Sequence, residues 1–146
     1  MYEVIDPMAK KEEENVATDD AVLQMLLTLA DEDGFEFGVT LNIKGAVVSG
    51  TLIGPTAYYD GVYHSAEEIK DHTMSNILTK KFSDLRDAFK KSKEESKEKK
   101  EQDTTATFIH LRNAKYIGAD GQPLHHNSTT WWRGRIESID AFSFQL

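Results

Sequence analysis

The stretch from Phe35 to Leu52, FEFGVTLNIKGAVVSGTL, restricts the fold of this chain more than any other. Phe35, Phe37, Val39, Leu41 and Ile43 fall on every second position, the period of a strand with one face in a core. Lys44-Gly45 interrupts the run, and Ala46 to Ile53 resumes it with β-branched residues. An antiparallel hairpin over 35–54, turning at Gly45, satisfies both halves. Gly50 lies inside the second strand, where a missing side chain suits a sharp bend or the close approach of another backbone. The expectation is a small, curled sheet.

Composition limits what can surround the hairpin. A chain of 146 residues with 39% apolar content can form one modest core and leave some segments solvated. Its net charge of −8 argues against a surface built for phosphate backbones, which Lys and Arg must neutralise. The absence of cysteine excludes disulfides, thiolate nucleophiles and Cys-based zinc sites together. No secretory signal and no apolar run of bilayer-spanning length occurs, so a cytoplasmic address without a membrane partner is expected.

In chain order, 1–17 is charged and aperiodic and reads as a mobile N-terminal arm, followed by a single domain over 18–146. Thr18-Asp19-Asp20 offers a helix start, and Val22, Leu23, Leu26, Leu27 and Ala30 carry an apolar stripe until Asp33-Gly34 ends a helix over 18–33. After the hairpin, 55–103 reads as a mostly helical insertion. Its opening, Ala57 to Tyr63, is an aromatic-rich loop or short strand, and Ser65-Ala66-Glu67-Glu68 forms a capping box for a long helix. Ile69, Leu78, Phe82, Leu85 and Phe89 line that helix, and the segment 90–103 then carries mixed charge with nothing to bury. The remaining strands occupy 104–146. The predicted class is α+β: a small five-stranded antiparallel barrel with an N-terminal helix and a long helical insertion between strands 2 and 3.

Enzyme chemistry finds little support. His64, Glu68 and His72 lie four apart and would share one face of a continuous helix, but a single surface helix cannot close a metal site. His125-His126 sits in a polar loop, and adjacent residues on an extended chain point opposite ways. His110 reads as a packed strand residue. No nucleophilic triad, phosphate loop or dinucleotide fingerprint is present, so no catalytic residue, metal or cofactor is expected.

Two resemblances remain. Gly45-x4-Gly50-x-Leu52, Leu111-Arg112-Asn113-Ala114 and Arg133-Gly134-x-Ile136-x2-Ile139 resemble the two halves of the Sm-like (SH3-like) RNA-binding barrel. Where that family presents a base-binding Asp and Asn, this chain has Thr104 and Phe108, although Arg133-Gly134 is in place. More specifically, Asp33-Gly34-Phe35, Leu41 to Thr51, Phe108 to Lys115 and Trp132 to Ile136 resemble the gas vesicle accessory protein U family. That resemblance implies a cytoplasmic, non-enzymatic protein associated with gas vesicles. It would aid vesicle assembly or clustering by adhesion to shell or other accessory proteins, with homo-oligomers as a further option. An Sm-like RNA-binding protein is the alternative, and a metal-dependent or hydrolytic enzyme the least favoured class.

Partner-binding candidates follow from composition. Trp131, Trp132, Arg133 and Arg135 combine aromatic and guanidinium groups of the kind favoured at interface hot spots. One Trp of the pair should face the core and the other solvent, because neighbours alternate along a strand. Tyr58, Tyr59 and Tyr63 form a second candidate patch, and Lys90, Lys91, Lys93, Lys97, Lys99 and Lys100 a charged segment for weak, salt-sensitive association. With a charge of −8 and Thr104 and Phe108 at the base-reading positions, the protein should bind RNA no better than an acidic control in filter binding at low and moderate salt. Submicromolar binding with a steep salt slope, lost in Arg133→Ala, would establish the RNA-binding alternative.

Overall fold

A computed structural model describes residues 21–98, 107–123 and 130–146. The expected arm over 1–17, the Thr18-Asp19-Asp20 helix start, Thr104 and the His125-His126 pair lie outside the described residues. Helix α1 spans Ala21–Glu32 and buries Leu23, Leu26, Leu27 and Ala30. It stops where Gly34 turns left-handed (φ 69°), with the Leu29 carbonyl accepting the Asp33 and Phe35 N–H groups at 3.1 and 3.2 Å.

The hairpin forms with β1 at Phe37–Ile43 and β2 at Ala46–Ile53, beginning two residues later than expected: Phe35 precedes the strand and is 54% exposed rather than in the core. Strands pair from Phe37 opposite Leu52 to Ile43 opposite Ala46, around a two-residue turn in which Lys44 (φ 48°) and Gly45 (φ 88°) are both left-handed. A lysine there is unfavourable by itself. Asp140 offsets this by accepting the Lys44 N–H at 2.8 Å through its carboxylate, while its own N–H goes to Asn42 O at 2.8 Å.

Strand β3 (Phe108–Ile117) pairs with β2, and the register breaks between Ser49 and Thr51. Ser49 faces Lys115 and Thr51 faces Arg112, so Gly50 stands opposite both Asn113 and Ala114. This is a bulge on β3, with Asn113 in the left-handed region (φ 53°). A Cβ on Gly50 would lie 3.1 Å from both Ala114 Cα and Arg112 O, so the close backbone approach foreseen for this glycine is real. Ala114 donates its N–H outward to Thr130 O at 3.1 Å.

Strands β4 (Trp132–Arg135) and β5 (Ala141–Gln145) complete a sheet of order β4-β3-β2-β1-β5. The α+β class holds, but the expected barrel does not close: the sheet is open, and β4 and β5 are its two outer strands. In a flat sheet those strands would stand about 19 Å apart, four spacings of ~4.8 Å. The chain between them holds only Ile136 to Asp140 and includes a 3₁₀ turn over Ile136–Ser138, with a reach of about 16 Å. The sheet therefore curls toward closure. Ile136, buried on that connection, joins the core in place of a ladder between the edges. That core packs α1 against Val39, Leu41, Val48, Leu52, Ile109 and Leu111.

The insertion between β2 and β3 is two helices, not a loop and one long helix. Helix α2 runs Pro55–Glu67, with proline in its first turn, so 57–63 is helical and Ser65 lies within the helix rather than capping the next one. The cap of α3 (His72–Glu98) is Asp71, whose Oδ1 accepts the Thr73 and Met74 N–H groups at 3.0 and 3.1 Å. An Asp before a helical run serves as well as a Ser-x-x-Glu box, and the aromatic content of 57–63 masked a helix that packs on two sides. Gly50→Val should destabilise the fold by about 1–3 kcal/mol, because its branches meet backbone that cannot step aside. Chemical denaturation reads this, and an unchanged midpoint would show that the bulge is not a tight crossing.

Candidate functional site

The aromatic and basic candidates converge where α2 meets the end of β3 and β4. His110 on β3 is only 3% exposed, and its ring lies 4.6 Å from that of Tyr58 on α2. Arg133, two residues from Trp131 and paired opposite His110 in the ladder, donates from Nε to His110 Nε2 at 3.2 Å. That bond places the imidazole proton on Nδ1. The Arg133 guanidinium then lies 3.9 Å over the Phe108 ring.

Trp131 closes the other side. Its indole N–H donates to Ser65 Oγ at 3.0 Å, and its six-membered ring sits where a side chain at position 61 would otherwise be. A Cβ on Gly61 would fall 2.1 Å from that ring, so this glycine is what allows α2 to settle on Trp131. Trp132 points to the opposite face, as adjacent strand residues do: it packs on the rim of the core and donates to the Tyr116 hydroxyl at 3.0 Å. Both rings are half-buried, one under α2 and one against the core.

The other candidates disperse. Tyr59 packs between His110 and Phe89 of α3, with centroids 6.3 and 6.0 Å away. Tyr63 instead receives Arg86, whose Cζ is 5.3 Å from its ring and whose Nη1 binds Asp60 at 3.0 Å. Arg135 is exposed and pairs with Glu137 at 3.4 Å. Within the charged segment, Lys90, Lys91 and Lys97 are exposed, whereas Lys93 is tied at 3.0 Å to Asp31 at the end of α1. Lys99 and Lys100 lie outside the described residues. His110, Phe108, Ser65 and Gly61 complete the junction; nothing in their spacing along the chain announces it, since α2 and β3 are brought together only by folding.

The His64, Glu68 and His72 spacing does not produce a site, because the chain leaves the helix between α2 and α3. His64 pairs with Glu67 at 3.0 Å instead. Among the described residues no group of three or more His, Asp or Glu is arranged to hold a metal, and no helix is long and apolar enough to cross a membrane. The junction is a packed, partly exposed aromatic and guanidinium cluster with a neutral imidazole at its centre.

The fold is an open antiparallel sheet that carries one packing helix and an appended helical pair. The family model described as "Gas vesicle protein GvpU-like" matches residues 20–146, and the chain belongs to that family. No curated protein and no solved structure matches it.

Burial, and secondarily the Arg133 charge, hold the His110 pKa down at about 4. Unfolded His titrates near 6.5, so between about pH 6.5 and 4 the unfolded chain binds the extra proton and stability falls as pH falls. From pH 7 to pH 5 this amounts to a loss of ~2 kcal/mol. Denaturation midpoints across that range should show it, and His110→Gln, which retains an acceptor for Arg133, should flatten the slope. A slope that persists in the variant would place its source elsewhere.

Proposed function

We propose that this protein is a cytoplasmic, non-enzymatic accessory protein of gas vesicles that acts by adhesion, docking on shell or other accessory proteins and so aiding vesicle assembly or clustering. The observation that carries this reading is the family match over 20–146, which takes in the sheet, α1 and the whole helical insertion. The surface chemistry supports it. Three of the four arginines hold carboxylates (Arg86 with Asp60, Arg112 with Glu36, Arg135 with Glu137), and the fourth leans on His110 and Phe108. A net charge of −8 disfavours a phosphate backbone as partner, and the aromatic and guanidinium rim at Trp131, Arg133 and Arg135 suits a protein partner better. The exposed Lys90, Lys91 and Lys97 alternate with Glu94 and Glu95 and supply weak contacts that salt screens.

Gas vesicles floated from a lysate should carry the protein with them. Arg135→Ala, at an exposed position, should reduce the co-floating fraction without changing the melting temperature, since surface ion pairs contribute only about 0–1 kcal/mol to stability. Neutralising Lys90, Lys91 and Lys97 should leave docking intact and alter how vesicles group in electron micrographs as ionic strength is varied. Protein that never floats with vesicles, in low or moderate salt, overturns the proposal.

A further inference from the structure

Helix α3 packs one side on the rest of the chain and exposes further apolar residues on another. Ser75 is buried with its hydroxyl on Ala66 O at 2.7 Å, Phe89 meets Tyr59, Arg86 reaches Asp60 and Lys93 reaches Asp31. These residues face α2 and α1. On another side Met74 and Ile77 are each 51% exposed, Leu85 is 50% exposed, and Ala88 is exposed beside them.

The exposed side carries a seam. Met74, Ile77, Lys81, Asp84, Ala88 and Lys91 lie along one line of the helix at alternating spacings of three and four, with Met74, Ile77 and Ala88 apolar and Lys81, Asp84 and Lys91 charged. We propose that this seam of α3 docks on the same seam of a second copy of the chain, antiparallel, about a twofold axis passing between Phe82 and Ser83. The occupant follows from charge. In that arrangement Lys81 of each copy faces Asp84 of the other, Ile77 faces Ala88, and Met74 lies along the aliphatic stem of Lys91, every layer occurring twice. A parallel, in-register pair would set Lys81 on Lys81 and Asp84 on Asp84. An antiparallel pair slipped by one heptad sets Ile77 on Lys81 and Met74 on Asp84, or Lys81 on Lys91. Only one register is complementary throughout, and Leu85 borders it from each copy. Asp84 is available for the exchange: its partner within the chain, Lys80, is 3.5 Å away and both side chains are well exposed (64% and 78%).

Three large apolar side chains and an alanine per copy make a contact smaller than the roughly 800 Å² per partner of a standard interface, and a weak dimer with a dissociation constant of roughly 10–100 µM is expected. The inference stands on α3 alone and not on the vesicle reading. Sedimentation equilibrium of the full chain without vesicles, up to about 0.5 mM, should show a monomer–dimer equilibrium. Lys81→Asp and Asp84→Lys each place like charges in both central layers and should weaken the dimer about tenfold or more. The combined variant should regain wild-type affinity within about threefold, and an equimolar mixture of the two single variants should dimerise where each alone does not. Both positions are exposed, and circular dichroism of each variant confirms that the fold is kept. A wild-type chain that stays monomeric, single exchanges without effect, or a combined variant as weak as the single ones overturns the proposal while leaving vesicle co-flotation as a separate question.

Discussion

The crossing of β2 and β3 at Gly50 governs the geometry of the whole sheet. Two residues of β3, Asn113 and Ala114, stand opposite one residue of β2, and a Cβ on that residue would lie 3.1 Å from Ala114 Cα and Arg112 O, tighter than ordinary contact. A bulge of this kind bends its strand and increases the local twist, and the connection that joins the two outer strands holds only five residues. Ile136 enters the core on that connection, and the Thr130 carbonyl just before β4 takes the N–H that the bulge turns outward. The core, the edges and the chain path thus share one local irregularity.

The helical insertion is held to this frame by a few specific contacts. Trp131 and His110 come from the sheet, Ser65, Gly61 and Tyr58 from α2, and the Lys93 to Asp31 ion pair links α3 back to α1. The Trp131 indole N–H donates to Ser65 Oγ and His110 Nε2 accepts from Arg133, which lowers the desolvation cost of partly burying these two groups. Because burial and the Arg133 charge disfavour the imidazolium, proton uptake at His110 weakens the junction.

For an accessory protein of gas vesicles this division has a use. The sheet and α1 provide a stable body, while the insertion extends the surface available for contact with almost no demand on the core. Helix α3, 27 residues long and about 40 Å from end to end, offers one face to the body and retains others. The chain is net acidic, and three of its four arginines pair with carboxylates.

Local pattern determined much of this molecule. Alternation from Phe37 to Ile43 specified β1, Lys44-Gly45 its turn, Leu23 to Ala30 the buried stripe of α1, and Gly50 a point of close approach, because each depends on the few residues around it. The family was legible in the same segments. Helix α2 was not, since its aromatic residues suit a strand or loop equally well until Trp131 and Phe89 give them partners. Nor was the Arg133, His110 and Tyr58 cluster, whose members are separated by the whole insertion and meet only in the fold. Whether the sheet closed was also a tertiary matter: strand number and length allow a barrel, but the outcome rests on where β4 and β5 end and on Ile136 filling the space between them. Periodicity and turn chemistry act over a few residues and can be read along the chain; contacts between distant segments depend on how bends, volumes and edges add up in space.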